Sequence, residues 1–153
     1  MKHLLFQHYF ILISLNQYQS HSTSIAFKNQ LSMKVKIDTK EKFHVITIEE
    51  PVLSANMTED LTQTLIPFLN KTIRNIVINF EKVQKIDEPA ANALVTIQQT
   101  FYDANSSLVI CNLHPEIETY LDEKELLELM NVTPTESEAW DIVQMEEIER
   151  EFT

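Results

Sequence analysis

A chain of 153 residues has room for one domain, or one domain with an appendage. Hydrophobic residues make up 44% and charged residues 23%, which excludes both intrinsic disorder and a wholly membrane-embedded chain. Twelve Lys and Arg stand against 23 Asp and Glu, a formal charge of -11 that argues against nucleic acid or an anionic membrane surface as partner and leaves basic protein patches open. Cys111, the single cysteine, can form neither an internal disulfide nor a thiolate metal cluster, as expected of a reducing, cytoplasmic setting. There is no glycine, where ordinary usage gives about ten in this length. Phosphate-cradling and dinucleotide-binding loops, whose backbone must approach the ligand closely, are therefore excluded.

Charge divides the chain. Residues 1–32 hold Lys2 and Lys28 and no acid, whereas residues 33–153 hold 10 basic and 23 acidic side chains, a net -13. The apolar stretch from Leu4 to Leu15 is broken by Gln7, His8 and Ser14, and a membrane span needs about 20 apolar residues. Three readings stay open for residues 1–32: an extension upstream of a start at Met33 with no folded role, a poor export signal, or a weak amphipathic anchor.

From Met33 the elements follow in order. Lys34–Asp38 and Phe43–Ile48 alternate with period two around a polar link and predict an antiparallel hairpin, which Pro51 ends. Asn56 and Glu59 resemble a helix N-cap pair, with Met57, Leu61, Leu65 and Leu69 forming one stripe and Pro67 kinking or shortening the helix. Ile76-Val77-Ile78 reads as a strand covered on both faces, followed by a loop over Glu81–Asp87. Ala90, Ala93, Leu94, Ile97, Phe101 and Ala104 predict a second amphipathic helix, closed by Asn105 in the left-handed conformation glycine would usually supply. Leu108–Cys111 is another central strand. His114-Pro115 opens a third helical stretch through Ile117, Tyr120, Leu121, Leu126, Leu127 and Met130. Thr135 caps a last helix with Glu138 three residues on and Ala139, Trp140, Val143 and Ile148 on its apolar side. The order β-β-α-β-α-β-α-α predicts an α/β fold with a mixed sheet of about four strands, its parallel part formed by Val45–Ile48, Ile76–Asn79 and Leu108–Cys111. Function is expected in the loops at the carboxyl ends of those strands.

Catalytic candidates are weak. His44 and His114 lack partner motifs, Cys111 lies in an apolar strand where burial makes a thiol inert, and the acidic run Glu146-Glu147-Ile148-Glu149 lacks calcium-loop spacing. No metal or cofactor is indicated, and no nucleophile pairs with a base. One constellation stands apart: Lys85-Ile86-Asp87-Glu88-Pro89-Ala90-Ala91-Asn92-Ala93-Leu94. Asp87 or Glu88 can accept hydrogen bonds from the first free N–H groups of the helix, Pro89 suits its first turn, and both carboxylates favour the positive end of the helix dipole. An ordinary acidic helix start explains the same residues.

At this loop the chain resembles the STAS domain family, the anti-sigma factor antagonists of bacterial partner switching. The family's usual pattern is a strand ending in Asp, a short loop, then Asp-Ser-Ser-Gly opening a helix. Ile76–Phe80 followed by Val83–Ala90 matches that frame, and Leu108–Pro115, Leu127–Val132 and Thr133–Ala139 add to the similarity, over about residues 34–145. The resemblance implies a STAS-like sheet with helices mainly on one face, organised as an extension (1–32), a STAS-like domain (33–145) and an acidic helix end (146–153). It further implies a non-enzymatic regulatory module that binds an anti-sigma factor or a serine-kinase-like ATPase protein. In the family a serine at the helix start is phosphorylated. Here Asp87 keeps the family's Asp, but Glu88 and Pro89 occupy the two serine positions, Asn79 stands where a strand-end Asp is common, and Ser54 falls near another usual Asp. No hydroxyl lies between Ile86 and Leu94, so the expected module docks without being switched there. Its expected surface is Ser54, Asn79, Lys85, Asp87, Glu88, Pro89, Asn92 and the outer face of the helix from residue 88 to 104. The alternative is a small-molecule-sensing or transporter-associated STAS-like module.

Overall fold

A computed structural model describes residues 32–153. The readings made for residues 1–31 lie outside the described residues. Strand β1 (Val35–Thr39) and strand β2 (His44–Ile48) form the expected antiparallel hairpin, with Val35 opposite Ile48 and Thr39 opposite His44. Strand β3 (Val52–Leu53) precedes a 3-10 turn at Ala55–Met57, helix α1 (Thr58–Leu65) and a second 3-10 turn at Ile66–Asn70. Pro67 stands where the α-helix gives way to the tighter turn, as its missing N–H requires. Asn56 does not cap α1: it lies inside the 3-10 turn, and neither it nor Met57 supplies a side-chain cap. Strand β4 (Ile76–Asn79), strand β5 (Lys85–Ile86), helix α2 (Glu88–Asp103), strand β6 (Leu108–Cys111), helix α3 (Pro115–Glu123), a 3-10 turn at Leu127–Leu129, strand β7 (Val132–Thr133) and helix α4 (Glu136–Glu151) complete the order.

The main sheet has five strands in the order β1-β2-β4-β6-β7, one more than expected, because β7 pairs in parallel with the end of β6 (Ile110 opposite Val132). The three parallel neighbours at its centre agree with the sequence reading, in register from His44 through Ile76 to Leu108. Side chains alternate across the sheet. Ile46, Ile48, Ile76, Ile78, Leu108 and Ile110 point to one face and pack with Leu61, Leu65, Leu94, Ile97, Phe101, Ile117 and Leu121 of α1, α2 and α3. Val45, Val77, Val109 and Cys111 point to the other, where α4 lays Ala139, Trp140 and Val143. On the central strands isoleucine and leucine thus line the three-helix side, and valine and cysteine line the side covered by α4.

Helix α4 departs from its expected stripe. Ile148 is 54% exposed, because beyond Val143 the inward side turns polar: Glu146 accepts from Asn131 Nδ2 at 2.9 Å, Glu147 from Asn75 Nδ2 at 2.7 Å, and Arg150 donates to Ser107 Oγ at 3.1 Å. Thr135 caps this helix as expected, accepting from Glu138 N at 3.2 Å.

Left-handed backbone occurs at Asn105, Asn112 and Glu125, with φ of 54°, 58° and 57°. Asn105 closes α2 as its sequence context requires: Asn105 N donates to Tyr102 O and Ser106 N to Phe101 O, the paired bonds that satisfy a helix's last carbonyls. Glu125 ends α3 in the same way, through Glu125 N to Asp122 O and Leu126 N to Leu121 O, with Leu126 packed on the core. The expected third helical stretch is therefore broken at residues 124–126 into a helix and a separate 3-10 turn.

Candidate functional site

The loop expected over Glu81–Asp87 contains strand β5, which pairs in parallel with β3 as a separate two-stranded ribbon, Val52 opposite Lys85 and Leu53 opposite Ile86. Gln84 N and Lys85 N both donate to Pro51 O, and Asp87 N donates to Leu53 O at 3.0 Å. That ribbon draws the segment after β3 to the start of α2. Asp87 takes extended backbone (φ -95°, ψ 170°) and caps α2, its Oδ1 accepting from Ala90 N at 3.0 Å. Its second oxygen accepts from Ala55 N at 2.7 Å, so one carboxylate joins the helix start to the β3–α1 turn. Ser54, next to that contact, donates its hydroxyl to Asn56 Oδ1.

Around this joint the expected residues separate into two groups. Lys85, Glu88, Pro89 and Asn92 are exposed, Ser54 and Asp87 are half-buried, and together they form one corner at the amino end of α2. Asn79 is not on that surface. It is 6% exposed, and its Oδ1 accepts from Glu81 N at 2.9 Å and from Asn112 Nδ2 at 3.2 Å. A contact role is thereby corrected to a supporting one, since the amide is consumed in shaping the loop after β4. His114 adds a second tie to that loop through Nε2 and Glu81 O at 2.8 Å.

Three residues of the corner carry no signal in the local sequence. Lys124, beyond the end of α3, pairs with Glu88 Oε2 at 3.3 Å and lies 5.9 Å from the centre of the Tyr120 ring. Tyr120 and Glu116 border a shallow groove of about 210 Å³ with Gln84, Lys85, Ile86 and Ile117. Only the fold brings α3 beside β5, so no motif spacing could have announced them.

The other reactive side chains are engaged elsewhere. His44 is buried, with Nδ1 2.9 Å from Thr39 Oγ1 and Nε2 3.1 Å from Ile73 O. Burial, with Glu136 and Glu81 nearby, pushes the Cys111 thiol up to about 12, so at neutral pH it is a protonated, packed side chain. Among the described residues no group of three or more His, Cys, Asp and Glu could hold a metal ion, and no helix is long and apolar enough to cross a membrane.

Comparison with known proteins places this architecture. The chain is similar in structure to an anti-sigma factor antagonist from Mycobacterium paratuberculosis (TM-score 0.63, 12% identity, covering 74% of this chain and 95% of that one). It is also similar to the Bacillus cell fate determinant SpoIIAA in its phosphorylated form (TM-score 0.53, 17% identity, 72% and 99%). A third likeness is to the murine solute carrier 26 family member A9 anion transporter in the inward-facing state (TM-score 0.61, 14% identity), of which this chain spans 24% while 80% of this chain is covered. At such identities the likeness is one of fold. No curated protein matches the sequence. The family description "STAS domain" matches residues 12–139, most of the chain, and the element order, the central parallel strands and the capped start of α2 agree with it: the chain belongs to the STAS domain family.

Proposed function

We propose that this STAS domain is a non-enzymatic protein-binding module of the anti-sigma factor antagonist type, acting in the cytoplasm in bacterial transcription control. It docks an anti-sigma factor or a serine-kinase-like ATPase protein through Ser54, Lys85, Asp87, Glu88, Pro89 and Asn92, with Asn79 supporting the loop beneath. The observation that carries the reading is the double hydrogen bond of Asp87, which fixes the amino end of α2 and the β3–α1 turn as one preorganised rim. Docking is not switched by serine phosphorylation at the usual site, because the two serine positions hold Glu88 and Pro89.

Pull-down with the full chain from its native host tests this. Recovery of an ATPase-fold or sigma-regulatory protein, lost with Glu88→Lys, supports the reading, and its recovery undiminished by that variant refutes the site. Incubation of the recovered partner with ATP should leave the intact mass unchanged; an added phosphate at Ser54 or Thr96 that abolishes binding refutes the unswitched reading.

The fold likeness to an anion transporter's domain favours a second reading, a transporter-associated or ligand-sensing module. The groove beside the corner, about 210 Å³, is smaller than the roughly 300–1,000 Å³ of small-molecule sites. A large thermal shift with one nucleotide or lipid, and no protein partner, would select this reading instead.

A further inference from the structure

Among the described residues β1 is a terminal strand of the main sheet, and its outer edge pairs with nothing. The hairpin's own bonds decide which backbone groups point outward. Glu49 N donates to Lys34 O and Lys40 N donates to Phe43 O, so residues 34, 36, 38 and 40 turn their backbone groups to β2. Antiparallel ladders alternate, so Val35, Ile37 and Thr39 turn theirs outward. The strand is open on its sides as well: Lys36, Asp38 and Thr39 are exposed, and Ile37 is 48% exposed.

We propose that this edge pairs with the same edge of a second copy of the chain, antiparallel about a two-fold axis at Ile37. Outward groups belong to odd-numbered residues, so hydrogen-bonded pairs must join odd to odd. Centring on Ile37 uses all three: Ile37 faces Ile37 of the partner subunit, and Val35 faces the partner subunit's Thr39. Each such pair makes two bonds, about six in all. The even-numbered residues then form the closer, non-hydrogen-bonded pairs, and Lys36 lies opposite the partner's Asp38, with Asp38 opposite the partner's Lys36. A shift one pairing step toward residue 38 sets Asp38 against the partner's Asp38 and Lys36 against the partner's Lys40; a shift the other way sets Lys36 against the partner's Lys36 while Lys34 comes to face the partner's Asp38, and each shift drops a hydrogen-bonded pair. Charge disfavours the first, and the number of hydrogen-bonded pairs selects the centred register over the second. At the ends Lys34 meets the partner's Lys40, a like-charge pair outside the strand; Lys40 lies 2.6 Å from Asp38 of its own strand, which shares its charge between Lys40 and the partner's Lys36.

Lysines on edge strands ordinarily prevent pairing. In this strand Lys36 and Asp38 instead make the centre of the edge self-complementary in the proposed register. The contact is isologous and closes on itself, since it consumes the edge that forms it. Five residues a side fall short of the roughly 1,000 Å² of a stable interface, so the dimer is a weak one that forms at high protein concentration.

Sedimentation equilibrium of the full chain from micromolar to millimolar concentration tests the proposal, with a reversible monomer–dimer equilibrium expected. Lys36→Asp alone and Asp38→Lys alone each turn two cross-strand pairs repulsive and should weaken association about tenfold. Mixing the two variants should restore it as a heterodimer, because every altered charge then faces its opposite. Ile37→Pro removes an outward-facing N–H that β2 does not use, and should abolish the dimer while the thermal midpoint of the monomer stays near that of the parent. Glu88→Lys, at the docking corner, should dimerise as the parent does. A monomer at millimolar concentration, single variants that associate like the parent, or a mixture that fails to recover would each overturn the proposal, whatever the fate of the docking site.

Discussion

Replacing Asp87 by alanine removes two acceptors at one stroke, and the structure sets the size of the effect. The bond to Ala90 N is a helix cap, and losing one costs about 0.5–2 kcal/mol. The bond to Ala55 N is charge-assisted and worth about 1.5–3 kcal/mol where water cannot replace it. Ala55 is exposed, so water takes over part of that second bond, and the combined loss is about 2–3 kcal/mol against a total stability of roughly 5–15. For a folded unit of this length each kcal/mol moves the midpoint by about 3–5 °C, so thermal unfolding followed by circular dichroism should drop by roughly 6–15 °C. Asp87→Asn keeps one oxygen for Ala90 but offers an amide where Ala55 needs an acceptor, and Asp87→Ser can cap without reaching the turn. The expected order of stability is Asp, then Asn and Ser, then Ala. An alanine variant within about 0.5 kcal/mol of the parent, or an asparagine variant as unstable as alanine, would refute the claim that one carboxylate holds both segments.

Three further outcomes follow from the same structure. Glu125→Gly should stabilise the domain by about 1 kcal/mol in urea unfolding, because a Cβ at φ 57° is strained and glycine relieves that strain against a smaller entropic loss; destabilisation would mean the Glu125 side chain holds the turn. Asn75→Ala should cost roughly 2–4 kcal/mol, since the buried amide bonds Lys42 O, Glu147 and Ser107 N together, and a loss under about 1 kcal/mol would show the network to be dispensable. Burial pushes the Cys111 thiol up from 9.0 to about 12, so the unfolded chain releases its proton first and stability falls as pH rises from about 9 to about 12. Urea unfolding of Cys111→Ala should lack that component of the alkaline loss; an unchanged slope, or fast alkylation of the native thiol at pH 8, would contradict its burial.

Legibility followed the length and period of each element. The hairpin, β4, α2, β6 and the Thr135 cap could be read because four or more residues repeat a pattern, or because a cap has a fixed spacing. β3, β5 and β7 are two residues each, too short to show any period, and they exist only because partner strands supply their hydrogen bonds. The break after α3 went unmarked because this chain has no glycine: Asn105 still betrays its left-handed turn, but a glutamate at residue 125 signals nothing. Ile148 misled for another reason, since Glu147 and Arg150 fill the inward face of α4 where an apolar residue was expected. At the candidate site, Asp87 was legible from its position before Pro89, whereas its bond to Ala55 and the pairing of Lys124 with Glu88 depend on segments brought together only by folding.

That pairing bears on whether Glu88 could imitate a phosphorylated residue at the helix start. Phosphate would bring about -1.5 to -2 charge and three acceptor oxygens to the positive end of α2. Glu88 brings a single charge on an exposed side chain, and Lys124 stands 3.3 Å from its carboxylate and offsets much of its field. The corner therefore presents a nearly compensated pair beside Asp87, closer in electrostatics to an unmodified helix start than to a phosphorylated one. On the proposed reading, a partner that reads this corner by charge meets the same helix start at all times, and docking there is constitutive.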